Sequence, residues 1–203
     1  MVKHPEVVSQ PILRTTSVYT FTKLVRYALV NPKTVHNRYP VHTFGYLTRL
    51  DDTTVTDTYV PYLAQQLEQA VKEGDSTKVQ TYVVGLGNVA HPKILQVFEP
   101  YLEGKQPMSD FQRTLVVTSL GKLAEVHPKV ARTVLYKVYT NTGEVHQVRV
   151  AAVYNLMKTV PPVSMLQRMA QFTHEDPSTQ VRSAVKSAIE SAALLKTKTN
   201  FQL

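Results

Sequence analysis

The hexapeptide Gly85-Leu86-Gly87-Asn88-Val89-Ala90 matches the G-x-G-x-x-A pattern of a dinucleotide site. In such a site a strand runs into a tight turn, and a helix N-terminus aims its free N–H groups at a pyrophosphate. Tyr82-Val83-Val84 would have to be that strand. Yet Val79, Val83, Leu86 and Ala90 keep helical spacing straight through the glycines. The matching place one unit later reads Thr118-Ser119-Leu120-Gly121, where the second glycine alone is retained. Gly87 and Gly121 read instead as small residues that let helices approach closely, although each costs roughly 1 kcal/mol in helix propensity. No cofactor is expected.

The histidines offer little more. His36 and His42 have Pro40 between them, a spacing that fits no recurrent zinc pattern. His174-Glu175-Asp176 places three ligand types in a row at a helix end, where side chains seldom converge on one ion. His91 and His127 each precede a proline, Pro92 and Pro128, which fits a boundary role between helices. There is no cysteine, no G-x-S-x-G elbow and no H-E-x-x-H helix. Asp176 and Arg182 flank a helix start, and in stacked repeats such an acid and base cross-link neighbouring turns. Catalytic and metal residues are therefore expected to be none, and the chain is not expected to be an enzyme.

The elements that hold these residues repeat. Leu86-Gly87-Asn88-Val89-Ala90-His91-Pro92-Lys93 is echoed by Leu120-Gly121-Lys122-Leu123-Ala124-Glu125-Val126-His127-Pro128-Lys129. The Leu-Gly pairs are 34 positions apart, the His-Pro pairs 36, and Val148-Arg149 and Val181-Arg182 33. A period in that range marks stacked helix-turn-helix units. The 203 residues have room for about five of them.

Periodicity gives helices almost throughout. Val18, Phe21, Leu24, Val25 and Ala28 share a helix over 15–30, closed by Pro32; Pro40 leads into Phe44, Leu47 and Leu50. Asp57 is placed as the cap of a helix facing inward through Val60, Leu63, Ala64, Leu67 and Val71, ending at Gly74. Ser76 opens the next. His91-Pro92 starts a helix through Ile94, Leu95 and Phe98 that Pro100 kinks or breaks. Ser109-x-x-Gln112 is a capping box before Leu115, Val116, Ser119, Leu120 and Leu123. His127-Pro128 starts a partner helix that stops at Asn141-Thr142-Gly143. A further pair spans 144–159 and 162–173, divided by Pro161-Pro162, and Asp176-Pro177 introduces the last helix. Tyr39, Thr53, Thr54 and Val55 favour a strand by type alone, a weak signal. Short connections favour antiparallel neighbours, so the fold class is all-α: a solenoid of antiparallel helix pairs in two layers, a HEAT-like superhelical horseshoe.

The net charge of +8 is uneven: residues 1–50 carry +6, 51–77 carry −5 and 78–203 carry +7. That balance favours anionic partners, but the basic residues are scattered singly, as on a solvated helix surface. The apolar runs are too short to span a bilayer, and Met1-Val2-Lys3-His4-Pro5 is not a signal peptide.

The segment from Tyr82 to Gly104, with Leu86-Gly87-Asn88, the proline-started helix at Pro92 and the step Tyr101-Leu102-Glu103-Gly104, resembles the helix-pair signature of the large lipid transfer proteins. That family includes vitellogenins, lipophorin precursors, apolipoprotein B and the microsomal triglyceride transfer protein. Val145–Val153 is similar to the family's next helical unit, and Tyr136–Thr140 and Thr159–Pro162 lean toward the insect vitellogenins. The resemblance covers 57–195 well and 1–56 more loosely. It implies that residues 1–203 are a single helical repeat domain, a piece of a larger secreted lipid-transfer module. Its partners would be the lipid-binding sheets of the parent lipoprotein and, indirectly, lipid. The basic face leaves an anionic membrane surface as a further partner, and a homodimer stays open. The alternative is a free-standing HEAT-like adaptor for acidic peptides or nucleic acid, to which Asp176-Pro177-x-x-x-Val181-Arg182 is similar. Nucleic acid fits poorly, because tryptophan is absent and most aromatics lie on buried stripes.

Overall fold

The computed structural model describes residues 2–29 and 52–200, and among these there is no strand. The chain divides into two compact units, Met1–Met108 and Ser109–Leu203, each with its own buried core. The expected helix over 44–50, the stop at Pro32, and Tyr39, Pro40, His36 and His42 lie outside the described residues.

The first unit holds α1 (Pro5–Ser9), α2 (Pro11–Leu29), α3 (Val60–Glu73), α4 (Ser76–Val89) and α5 (Ile94–Leu102). Its centre is α4, which packs against both α2 and α3. Burial on several sides explains why α4 carries apolar or small residues around most of its circumference, including Val79, Tyr82, Val83, Gly85, Leu86, Gly87 and Val89. The helix is unbroken through both glycines, so their backbone groups are committed to the helix ladder rather than open to a phosphate.

Two expectations about this unit need correcting. Asp57 caps nothing, because the chain is already helical at Asp52–Thr54 and continues through a π-helical turn, Val55–Tyr59. No free N–H groups remain there for a cap, and the Asp57 carboxylate accepts from Thr56 Oγ1 at 2.9 Å. The same helical turn replaces the strand weighed for Thr53–Val55. Pro100, in turn, sits inside α5 without ending it. Proline removes one ladder bond, and α5 stops two residues later in any case.

The turn from α3 to α4 needs only two residues. Gly74 takes φ +68°, its N–H bonds Val71 O at 3.1 Å, and Asp75 N–H bonds Ala70 O at 3.0 Å. That is a Schellman ending, which a left-handed glycine makes cheaply. Asp75 then accepts from Lys78 N–H at 3.0 Å and so caps α4.

The second unit holds α6 (Asp110–Ser119), α7 (Gly121–Val126), α8 (Pro128–Thr140), α9 (His146–Lys158), α10 (Val163–Phe172) and α11 (Thr179–Asn200). The capping box at Ser109 and Gln112 forms in both directions. At the centre is α9, packed against α6, α7, α8 and α11, while α10 packs on α11. The single helix expected over 109–123 is in fact two. Asn155 of α9 donates from Nδ2 to Val117 O at 2.6 Å and to Thr118 O at 3.3 Å, and the chain breaks at Leu120. A side chain that takes carbonyls out of the ladder is a recognised cause of such a break.

Candidate functional site

Three arginines in the second unit tie down three inter-helix connections. Arg113 of α6 makes a two-point pair with Glu144, just before α9, at 3.1 and 2.9 Å. Arg132 of α8 donates to Thr159 Oγ1 at 3.1 Å and Thr159 O at 2.7 Å, at the end of α9. Arg149 of α9 reaches forward to Asp176, ahead of α11, with Nη1–Oδ1 at 3.0 Å and a second bond from Nη2 to Oδ2. Arg149 Nε also donates to Tyr139 O at 2.9 Å, and Asp176 Oδ1 accepts from Ser178 N–H at 2.9 Å. A planar guanidinium suits such two-point contacts, which fix angle as well as distance.

Burial alone would push the Asp176 carboxyl up. The Arg149 hydrogen bonds, the Ser178 N–H and the charges of Arg149 and Arg182 outweigh it and hold the group below the ordinary carboxylate range. Burial, with the Asp176 charge next, pushes the Tyr139 hydroxyl well above its usual value.

The residues singled out in sequence fall at different depths. Gly121 lies against α9: a Cβ there would come within 3.0 Å of Asn155 Oδ1 and 2.7 Å of Lys158 Nζ. Gly87 is buried inside α4, and Gly85 of the same helix lies close to α2, where a Cβ would stand 2.8 Å from Val18 Cγ1. Pro92 occupies the turn before α5 rather than its first residue, and His91 Nδ1 accepts from Lys93 N–H at 3.0 Å. Pro128 is the first residue of α8. Asp176 and Arg182 are not each other's cross-link. Asp176 bonds Arg149, while Arg182 is exposed and donates to Thr179 Oγ1 at 3.0 Å. Arg149 wins because it approaches from a packed neighbouring helix and delivers both nitrogens out of reach of water.

A spacing signal for these clamps exists, since Val148-Arg149 and Val181-Arg182 are sequence echoes. It does not say which arginine is buried. With Asp176 committed to Arg149, His174 and Glu175 are left exposed, and no cluster of three His, Asp or Glu able to hold a metal occurs among the described residues. Among the same residues no helix is long and apolar enough to cross a membrane.

The clamps leave one stripe of α9 uncovered. Gln147, Val150 and Tyr154 recur at intervals of three and four, and together with His146 at the start of the same helix and Gln180, Ser183, Ala184 and Ser187 of α11 they line a shallow groove of about 460 Å³. Its lining contains no Lys, Arg, Asp or Glu. Tyr154 is 53% exposed there. By contrast, α8 presents Lys129 and Lys137 to solvent.

Comparison with known proteins bears on this geometry. The sequence pattern described as the Vitellogenin TPR domain matches residues 1–190. The chain is 46% identical to Vitellogenin-1 of Solenopsis invicta over 196 residues, which is 97% of this chain and 12% of that protein. It is 50% identical to Vitellogenin-A1 of Aedes aegypti over 188 residues, 93% of this chain and 9% of that one. Bombyx mori vitellogenin shares 42% over 201 residues, 99% of this chain and 11% of its own length. The chain thus spans about a tenth of the relatives it matches. A solved structure described as lipid–protein interactions in lipovitellin has the same fold, with a TM-score of 0.68 over 93% of this chain and 20% of that one, at 16% identity. With the domain pattern and these identities running nearly end to end, the chain belongs to the vitellogenin family and carries its helical TPR domain.

Proposed function

We propose that this chain is the helical scaffold of a secreted yolk-precursor lipoprotein, bracing a lipid cavity in the longer parent protein rather than catalysing a reaction. In this reading residues 1–203 act as one repeat domain, in which Gly87, Gly121, Pro92, Pro128, Asp176 and Arg182 serve packing and turns. The observation that carries the reading is the contrast between two surfaces of the second unit. The α9–α11 groove holds no Lys, Arg, Asp or Glu and offers Val150 and the Tyr154 ring, whereas α8 carries Lys129 and Lys137 into solvent. A face without Lys, Arg, Asp or Glu and with an amphipathic aromatic suits a protein partner that excludes water. That partner would be the lipid-holding sheets of the parent.

Hydrogen exchange on this chain alone and within the longer parent tests the proposal. Protection should rise in α9 and α11 along the groove and stay unchanged on the exposed side of α8. Equal exchange in both contexts along α9 and α11 would refute it.

A free-standing adaptor, or an anionic membrane held by the basic face, is less well supported. Arg113, Arg132 and Arg149 are spent on the chain's own connections and are not available to a partner. Salt-dependent sedimentation with anionic vesicles would distinguish the membrane version, because an electrostatic contact weakens as salt rises.

A further inference from the structure

Residues 52–73 run as one helical stretch, but its two parts are out of register with each other. Between Asp52–Thr54 and α3 lies the wide turn Val55–Tyr59, across which Val60 N–H bonds Val55 O, five residues back. An α-helix bonds four residues back, so the turn holds one residue more than an α-helix would.

That residue decides which side chain faces the core. The inward face of α3 is Val60, Leu63, Leu67 and Ala70, each at most 1% exposed. Carried back four residues from Val60 and seven from Leu63, an α-helical face arrives at Thr56. Yet it is Val55 that is fully buried. Thr56 is half-buried, and its hydroxyl donates to Thr53 O at 3.2 Å and Asp57 Oδ1 at 2.9 Å. One residue is about 100° of helix rotation, enough to trade a threonine for a valine on the inward face.

Pro61 acts in the same direction. It has no N–H for the ladder, and in an unbroken α-helix its ring would press on the carbonyl four residues before it, that of Asp57. A wider turn moves that carbonyl off the ring. Tyr59 meets Phe21 of α2 edge to face, with ring centroids 5.0 Å apart, and this contact pins the end of the turn nearest α3. A change of register therefore falls on the residues before Tyr59 and leaves α3 packed on α4.

We propose that residues 52–59 form a register latch. Pro61 and the burial of Val55 hold the wide turn; without them the segment rewinds by one residue into α-helix, with Thr56 in the place of Val55. The rewinding turns Thr53 and Thr54 by about 100° about the helix axis and so changes the face they present, with no unpacking of the unit.

The chain has no cysteine, so a single introduced thiol reports the register. In the 203-residue chain Thr56→Cys should react readily with a maleimide. Adding Pro61→Ala and Val55→Thr removes both holds, and the reaction should slow by about tenfold or more as position 56 turns inward. Pro61 is itself exposed, so Pro61→Ala alone leaves the core intact, and it should slow the reaction by a smaller factor. Deleting Thr58 from the Pro61→Ala chain takes out the extra residue and puts Val55 four positions before Val60, so the thiol should regain its full reactivity. Urea unfolding of each variant confirms that it is folded. Fraying of the segment would speed the reaction, so a slower one reports rewinding. An equal or faster rate with both holds removed would overturn the proposal, as would a thiol already protected with Pro61 and Val55 in place. If the triple variant does not fold, an unchanged rate in Pro61→Ala alone is the overturning result.

Discussion

Arg149 and Asp176 stand 27 positions apart in sequence and meet as a two-point ion pair with both side chains about 1% exposed. The arginine also holds Tyr139 O, so one side chain joins α8, α9 and the connection into α11. Breaking such a pair from one side leaves a buried charge without its partner. Asp176→Asn is therefore expected to cost about 3–5 kcal/mol in urea unfolding. The double replacement Arg149→Met with Asp176→Leu removes both charges and should cost clearly less than the two single changes added together. Additive losses would mean the pair contributes no coupling.

The same pair sets an acid limit. Asp176 titrates below its usual range in the folded chain, despite burial, because Arg149 and the Ser178 N–H favour its charged form. A carboxyl with a lowered folded pKa contributes stability that is fully present above the unfolded value, about 3.9. That contribution fades as pH falls through the lowered folded value. The difference in melting temperature between the native chain and Asp176→Asn should accordingly be largest near neutrality and shrink in acid. A difference that stays constant from neutral to acid pH would show that the Asp176 charge is not what Asn removes.

Much of this architecture can be read from local signals. Ser109 and Gln112 form their box, Gly74 ends α3 in the left-handed region, and Pro128 starts α8, because each acts within a few residues of itself. The break at Leu120 was not legible. Its cause, Asn155, lies 38 positions beyond the Val117 carbonyl it takes, and nothing in the local apolar pattern signals a partner that distant. Arg149 and Arg182 are equivalent as letters, but α9 is packed by α6, α7, α8 and α11, whereas α11 packs on α9 and α10. Tertiary covering buries one arginine and exposes the other. The groove stripe on α9 escaped for the same reason: it is defined by what neighbouring helices leave uncovered.

Gly85 is a sharper test of helix approach than Gly121, whose nearest neighbour is the tip of the flexible Lys158 side chain. A methyl group there would stand 2.8 Å from Val18 Cγ1, and Val18 is itself fully buried. The gain in helix propensity from Ala is roughly 1 kcal/mol, against an overpacking cost of about 1–3 kcal/mol. Gly85→Ala should thus be destabilising on balance. Adding Val18→Ala makes room for the methyl, so the double variant should be more stable than the sum of the two single effects. Simple additivity in a denaturant series would show that α2 and α4 relax apart without penalty.

Val160 is held in a conformation that its side chain disfavours. Its φ is +49°, it is β-branched, it precedes Pro161, and it is 83% exposed, so no packing depends on its side chain. Arg132 reaches over this connection to the Thr159 and Val160 carbonyls at 2.7 and 3.4 Å, which anchors the backbone where a valine would otherwise leave it. The left-handed region costs a non-glycine residue about 1–2 kcal/mol, partly offset in Val160→Gly by the greater freedom of the unfolded chain. Val160→Gly should stabilise the chain modestly, by up to about 1 kcal/mol in urea unfolding. In an Arg132→Met background the clamp is gone and the connection can relax, so the benefit of Val160→Gly should shrink. An equal benefit in both backgrounds would separate the strain at Val160 from the arginine that spans it.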